Sequence, residues 1–386
     1  MAKTALAALG TSIFSEMTRL ANEKGAVNLS QGFPDFEGPP AIVDAGVDAL
    51  REGHNQYGRS MGVPALVNAI AAHQLRSYGI SLDPMTEVCA TAGATEAIAA
   101  AMIGLLDPGD EVVLFEPFYD EYPAAAAMAG AVPRVVTLRF PTFALDESAF
   151  RAAITGKTRM IVVNTPHNPT GKVFTTAELD MIARACVEHG LIALTDEVYE
   201  HITYGVKHVP LSTRPGMRER TVSVSSTGKT FSYTGWKVGW ATGPAELIAG
   251  VQRAHQFLTF SAATPLHTAM AKALSTFQQP FFDELAREYA QRRDFLVDVL
   301  RDVGFEVSVP QGAYFALASI RDLTDEDDVT FARRLIDEAG VAAIPPSAFY
   351  SRDIEEGQRL LRFAFCKKPE TLALAAERLR AWHAKR

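Results

Sequence analysis

Short β-rich runs alternate with helix-periodic stretches along most of this chain, and that alternation limits its fold more than any other feature. Strand candidates are EVVLF (111–115), RMIVVN (159–164), LIALTD (191–196) and TVSVSS (221–226), with a further run at 88–92. Helix-like stretches lie around 94–106, 119–130 and 175–189. In TTAELDMIARACVEHG, Thr175 or Thr176 can cap, apolar residues recur at helical spacing, and Gly190 can end the helix. Strands joined in this way run largely parallel and need helices on both faces. The expected architecture is therefore α/β, with a large unit over residues 41–280.

After Pro280 the texture changes. A charged amphipathic stretch, FFDELAREYAQRRDFLVDVLRDVG, leads to strands near 305–309 and 313–318 and a helix near 328–340. Strands VAAIP and LLRFAF and a closing helix from 369 follow. This predicts a smaller α+β domain over 281–386. The first 40 residues, with the turn-rich SQGFPDFEGPP, read as an arm that packs with it.

Charge and cysteine usage exclude several function classes. Thirty-seven Lys and Arg against 45 Asp and Glu leave a net charge of −8, the wrong sign for a nucleic-acid backbone. The three cysteines, Cys89, Cys186 and Cys366, stand far apart with no CxxC, so neither a disulfide framework nor a zinc site is expected. The longest apolar run, AIAAAMIGLL at 97–106, is about half a membrane span. The apolar patch in MAKTALAALGTSIF is too brief for a signal-peptide core, so the expected location is cytoplasmic, away from membranes.

Ligands of open α/β sheets bind beyond the carboxyl ends of the strands. Here those ends carry AGATEA, EPFYDEY, NTPHNPTGK, DEVYE and TGK. Together they offer a helix N-terminus suited to an anion, an aromatic ring, an amide, a carboxylate, a phenol and a lysine. Lys229 follows a β-run within SSTGKTFSYTGWKVGW, where a buried ammonium is costly unless its charge is answered or its amine is consumed. Asp196 ends an apolar strand, and Arg362 sits amid the apolar residues of LLRFAF, where a bidentate carboxylate is the best partner.

NTPHNPTGK, TDEVYEH and SSTGKTFSYTGWKVGW together make the chain resemble the class I/II aminotransferases. These are fold-type-I enzymes that use pyridoxal 5′-phosphate, and the likeness is to the branch of kynurenine/glutamine and methionine aminotransferases. It runs from NLSQGFPDFEGP to RFAFCK. It implies the fold-type-I transferase fold, with Lys229 bonding the cofactor aldehyde and moving a proton, and Asp196 facing the pyridine nitrogen. Asn168 and Tyr199 would meet the ring oxygen, and Phe118 would stack on the ring. Gly93, Ala94, Thr95, Ser226 and Lys237 would hold the phosphate, with Tyr57 reaching it from a second subunit of a homodimer. Gly32, Asn168, Arg362 and Phe14 would bind the substrate. Asn164 reads as structural. The implied reaction moves an amino group from an L-amino acid of methionine, aromatic, glutamine or kynurenine type to a 2-oxo acid, by a ping-pong route. Phe14, Tyr57, Phe118 and Phe260 are the expected surroundings of the substrate side chain. Thr95, Phe14 and Ser261 depart from kynurenine-handling relatives and favour methionine-type activity.

The alternatives are a cysteine-conjugate C–S β-lyase, a succinyl-diaminopimelate aminotransferase, and a non-catalytic module that binds the cofactor. GKT at 228–230 is not a P-loop, because Ser223 stands where that motif needs glycine. The acidic DEDD at 325–328 precedes a helical run and reads as a solvated helix N-terminus.

Overall fold

The computed structural model describes residues 13–386, so residues 1–12 of the expected arm lie outside the described chain. The strands are β1 (Val27–Asn28), β2 (Val88–Thr91), β3 (Glu111–Glu116), β4 (Val132–Thr137), β5 (Thr158–Asn164) and β6 (Ile192–Asp196). They continue as β7 (Thr221–Ser226), β8 (Gly239–Thr242), β9 (Glu306–Ser308), β10 (Phe315–Ser319), β11 (Val341–Ala342) and β12 (Leu360–Ala364). A seven-stranded sheet has the order β2-β8-β7-β6-β5-β3-β4. From β7 to β4 its neighbours are parallel, whereas β8 runs antiparallel to both β7 and β2. The mostly parallel sheet predicted from the alternation is present. β4 and β8 were not foreseen: VPRVVT carries Pro133 and Arg134 on an edge strand, and GWAT is only four residues long.

Strand β5 shows how the layers form. Met160 and Val162 enter one apolar cluster, while Ile161 and Val163 enter the other, as alternation along a strand requires. Each such fully buried side chain contributes about 1.5–3 kcal/mol. Helix Thr176–His189 begins at Thr175, whose side chain accepts from the Glu178 N–H while Glu178 reaches back to the Thr175 N–H. Of the two caps weighed, Thr175 is the one used. Register sets the rim of the site: Asn164 lies opposite Asp196, Asp196 opposite Val224, and Ser226 opposite Gly239.

Beyond the large sheet, helix Gln279–Asp302 leads to an antiparallel sheet of order β12-β10-β9, flanked by helices Asp328–Ala339 and Pro369–His383. Pro280 lies in the first turn of that long helix, so the helix begins before the change of texture suggests. β1 pairs with β11 in parallel, and Met17, Ala21 and Leu29 share one core with Leu296, Phe331 and Val341. Val198, Tyr199 and Ile202, from the turn after β6, enter that same core.

The acidic run before Asp328–Ala339 is only partly as expected. Asp327 caps the helix by accepting from the Thr330 N–H at 2.7 Å. Asp328 is fully buried, not solvated, and accepts from the Ser347 N–H at 2.7 Å. All three cysteines are free and buried.

Candidate active site

At the carboxyl rim of β5, β6 and β7 lies a cavity of about 330 Å³ that gathers side chains from the seven-stranded sheet and from the antiparallel three-stranded one. Lys229 stands in its wall, on the single helical turn Thr227–Thr230 that follows β7. Its Nζ donates to the Gly32 carbonyl at 3.4 Å and lies 5.7 and 5.6 Å from the ring centres of Tyr199 and Tyr314. Burial pushes the ammonium down to about 8, against the opposing pull of Cys366 and Asp196. A neutral amine is therefore within easy reach near neutral pH. The Tyr314 hydroxyl donates to the same Gly32 carbonyl at 2.7 Å. A Cβ at Gly32 would come within 2.6 Å of the Phe315 ring, so only glycine brings that carbonyl so close.

Asp196 closes β6. The Tyr122 hydroxyl donates to its Oδ2 at 2.6 Å, and the Val198 N–H donates to Oδ1 at 3.4 Å. Burial pushes its carboxyl up to about 6, with those two donors and the charge of Lys229 holding it down. A cationic ring nitrogen beside it would hold the carboxylate further toward the charged form. Asn164 acts as scaffold, as expected. Its Nδ2 donates to the Asp196 carbonyl at 2.9 Å, and its Oδ1 accepts from the Asn168 N–H at 2.7 Å. Tyr199 is held neutral, since burial raises its phenol well above its ordinary value.

The other end of the cavity suits an anion. Gly93, Ala94 and Thr95 open helix Gly93–Leu105. Gly93 has φ +82°, and a Cβ there would meet the Lys237 side chain at 3.0 Å. Lys237 Nζ donates to Thr95 Oγ1 at 3.4 Å, and Ser226 ends β7 beside them in the cavity wall. Free N–H groups, a helix N-terminus and an ammonium together form a phosphate cradle.

Arg362, on β12, is almost wholly buried. Its Nη1 donates to Asn168 Oδ1 and its Nη2 to the Ser30 carbonyl, both at 3.0 Å. Its Nε is buried without a partner, and the guanidinium stacks 4.2 Å from the Phe315 ring centre and 5.1 Å from that of Phe14. Among the described residues it makes no ion pair, and burial pushes it down to about 10. A buried cation answered only by an amide and a carbonyl has room for a carboxylate.

Most residues singled out from sequence meet here: Phe14, Gly32, Gly93, Ala94, Thr95, Asn168, Asp196, Tyr199, Ser226, Lys229, Lys237 and Arg362 all line the cavity. Phe118 does not. It packs into the apolar cluster behind the sheet, pinned by its N–H to the Phe349 carbonyl at 2.9 Å, and Tyr119 presents the aromatic ring instead. In EPFYDEY the two aromatics are adjacent, and only the backbone path decides which one turns inward. Tyr57 and Phe260 also lie outside this chain's cavity. They are exposed and pack edge to face at 5.3 Å. Sequence reading missed Tyr122, Tyr314, Phe315 and Glu121. Tyr122 carried a signal, since it follows Tyr119 at helical spacing. Both Glu121 carboxylate oxygens are buried without a hydrogen-bond partner.

The model of the family described as aminotransferase class I and II matches residues 24–379. The chain belongs to that family. These aminotransferases include the methionine aminotransferase of Escherichia coli, 41% identical over 96% of each chain. Mouse kynurenine–oxoglutarate transaminase 3 is 39% identical over 98% of this chain and 89% of its own. The solved structure of N-succinyldiaminopimelate aminotransferase from Mycobacterium tuberculosis superposes with a TM-score of 0.95 at 46% identity, covering 99% of this chain and all of that one. The enzyme is thus a fold-type-I transaminase that uses pyridoxal phosphate. The cavity fits that cofactor on its own terms. It offers a buried amine with, among the described residues, a single weak acceptor, a buried carboxylate, and an anion cradle in which Gly93 leaves no room for a side chain.

Proposed function

We propose that this aminotransferase takes L-amino acids with uncharged side chains of methionine or aromatic type as donors and returns the amino group to a 2-oxo acid by a ping-pong route. The observation that carries the reading is the set of cations in the cavity wall: Lys229, Lys237 and Arg362. Lys229 and Lys237 serve the cofactor, which leaves Arg362 for the α-carboxylate and, among the described residues of the cavity wall, no further cation for a second one. Phe14 and Phe315 supply an apolar wall over Arg362, and Phe33 lines the same cavity.

In this reading Lys229 would bond the cofactor and, once displaced by substrate, would take the proton from the substrate α-carbon at its Nζ and pass it on to the cofactor. Its lowered pKa suits that task near neutral pH. Asp196 holds the proton of the ring nitrogen, with Tyr122 fixing the carboxylate from behind. Asn168 and Tyr199 orient the ring oxygen. Gly93, Ala94, Thr95, Ser226 and Lys237 hold the phosphate, and Tyr119 covers a ring face. When bound, pyridoxal phosphate supplies an electron-poor ring that draws charge away from the substrate α-carbon. The enzyme works as a cytoplasmic homodimer in which Tyr57 reaches the phosphate of the other subunit. The arm to about residue 40 and the unit from about residue 281 form a smaller domain over the site.

A second reading, an N-succinyl-diaminopimelate donor, is favoured by the 46% identity to the M. tuberculosis structure. Single-turnover rates with a panel of donors decide between them. Methionine and phenylalanine should outpace N-succinyl-diaminopimelate and aspartate. The reverse order would move the enzyme to the second reading. Release of pyruvate from a cysteine conjugate without any 2-oxo acid acceptor would add C–S lyase activity.

A further inference from the structure

Outside the cavity, helix Pro64–Tyr78 and the turn after β6 bring His73, Glu200 and His201 together. None of the three lines the cavity. Their ligand atoms all lie within 4.8 Å of one another. The two Nε2 atoms are 3.2 Å apart, and His73 Nε2 is 3.7 Å from Glu200 Oε2. Bonds of about 2.0–2.1 Å to a tetrahedral ion put neighbouring ligands about 3.3 Å apart, so the two imidazoles already stand at ligand spacing and the Glu200 carboxylate lies a few tenths of an ångström beyond it.

The outer partners suit the same purpose. The Ser77 hydroxyl lies 3.4 Å from His73 Nδ1, and in the tautomer protonated at Nδ1 it accepts that N–H and leaves the Nε2 lone pair free. The hydroxyls of Tyr78 and Ser225 each donate at 2.6 Å to one oxygen of Glu200. The His201 ring lies flat on Phe282, with centres 3.8 Å apart and planes 5° from parallel. The neighbouring carboxylate, Glu197, is engaged by His208 Nε2 at 3.0 Å and by the Thr195 hydroxyl at 2.6 Å.

Charge gives the second argument. The Glu200 side chain is 2% exposed, and among the described residues no lysine or arginine pairs with it. Two imidazole nitrogens facing each other at 3.2 Å can share one proton between them, but two imidazolium ions would repel. Buried charges are paired or coordinate metals, and two neutral imidazoles with one carboxylate make a donor set for a borderline-soft divalent ion.

We propose that His73, Glu200 and His201 bind a divalent transition-metal ion of zinc type, which clamps helix Pro64–Tyr78 to the turn that carries Tyr199. Its role is structural, since the three ligands brace two elements outside the cavity that holds the reacting atoms. The test uses the cofactor-loaded enzyme, stripped with a chelator and titrated with Zn²⁺ against a colorimetric zinc indicator, then with Co²⁺. Wild type should take up one equivalent per chain, and bound cobalt should show the visible bands of a tetrahedral site. His73→Gln and His201→Gln should each weaken uptake at least tenfold, while His54→Gln, at an exposed position, should not. No tight equivalent in wild type would mean a hydrogen-bonded triad sharing a proton and would overturn the proposal. So would uptake that survives both substitutions. The wild-type titration decides by itself if a variant fails to fold.

Discussion

Arg362 sits at the bottom of its pocket with two N–H groups engaged by neutral acceptors and its Nε unpaired. Replacing it with alanine removes charge-assisted bonds worth about 1.5–3 kcal/mol, so kcat/KM for the amino donor should fall about 10- to 150-fold. Most of the loss should appear in KM, and steady-state kinetics at fixed 2-oxo acid would measure it. Glu121 gives a prediction in pH. Burial, with Asp196 nearby, pushes its carboxyl from an ordinary 4.5 up to about 8, while the Lys237 ammonium pulls the other way. The folded chain therefore keeps a proton that the unfolded chain releases, and stability falls as pH rises between those two values. Asp196, raised to about 6, adds a loss of the same sign over a narrower window. In cofactor-free protein, Glu121→Gln should lose less melting temperature than wild type between pH 5 and 8. Parallel melting curves for the two proteins would refute this.

Glu116 ties one element to another. It ends β3, and its carboxylate accepts from the N–H groups of Ser351, Arg352 and Asp353 at 2.7, 3.0 and 3.0 Å. The Thr137 hydroxyl donates to it as well, at 2.7 Å. The loop before β12 is held on the end of β3 chiefly through this carboxylate, with Arg352 Nη1 donating to the Val135 carbonyl at 3.0 Å and Asp353 pairing with Arg139 beside it. Glu116→Ala leaves several donors without an acceptor, at about 1–3 kcal/mol for each that stays buried. The variant should lose at least about 3 kcal/mol in urea unfolding. A change below about 1 kcal/mol would mean that water replaces the carboxylate. The strand pattern of EVVLF was plain in the sequence, but this tie was not, because its partners lie more than 200 residues away.

At the scale of the molecule, one face of the chain is conspicuously apolar. Tyr57 is 82% exposed and Phe257 87%, with Leu258 and Phe260 about half exposed. Rings so bare are rare on a monomer and mark an interface. If the proposed homodimer closes there, Phe257→Glu should shift the protein toward monomer in sedimentation velocity and loosen the cofactor, since the proposed reach of Tyr57 to a partner's phosphate would be lost. An unchanged dimer would move the interface elsewhere.

The alternation of elements, the mostly parallel sheet and the chemical kind of each group at the strand ends are legible in the amino-acid order alone. Those features are local: a period, a cap at Thr175, a lysine after a β-run. Tertiary structure decided which neighbour faces the ligand. Phe118 and Tyr119 are adjacent and alike in apolar content, and only the turn out of β3 sends one inward. It also decided what supports each group, as Tyr122 supports Asp196, Ser30 supports Arg362, and Glu116 holds the distant loop. Such partners are set by long-range packing and strand register, which no short window of sequence contains.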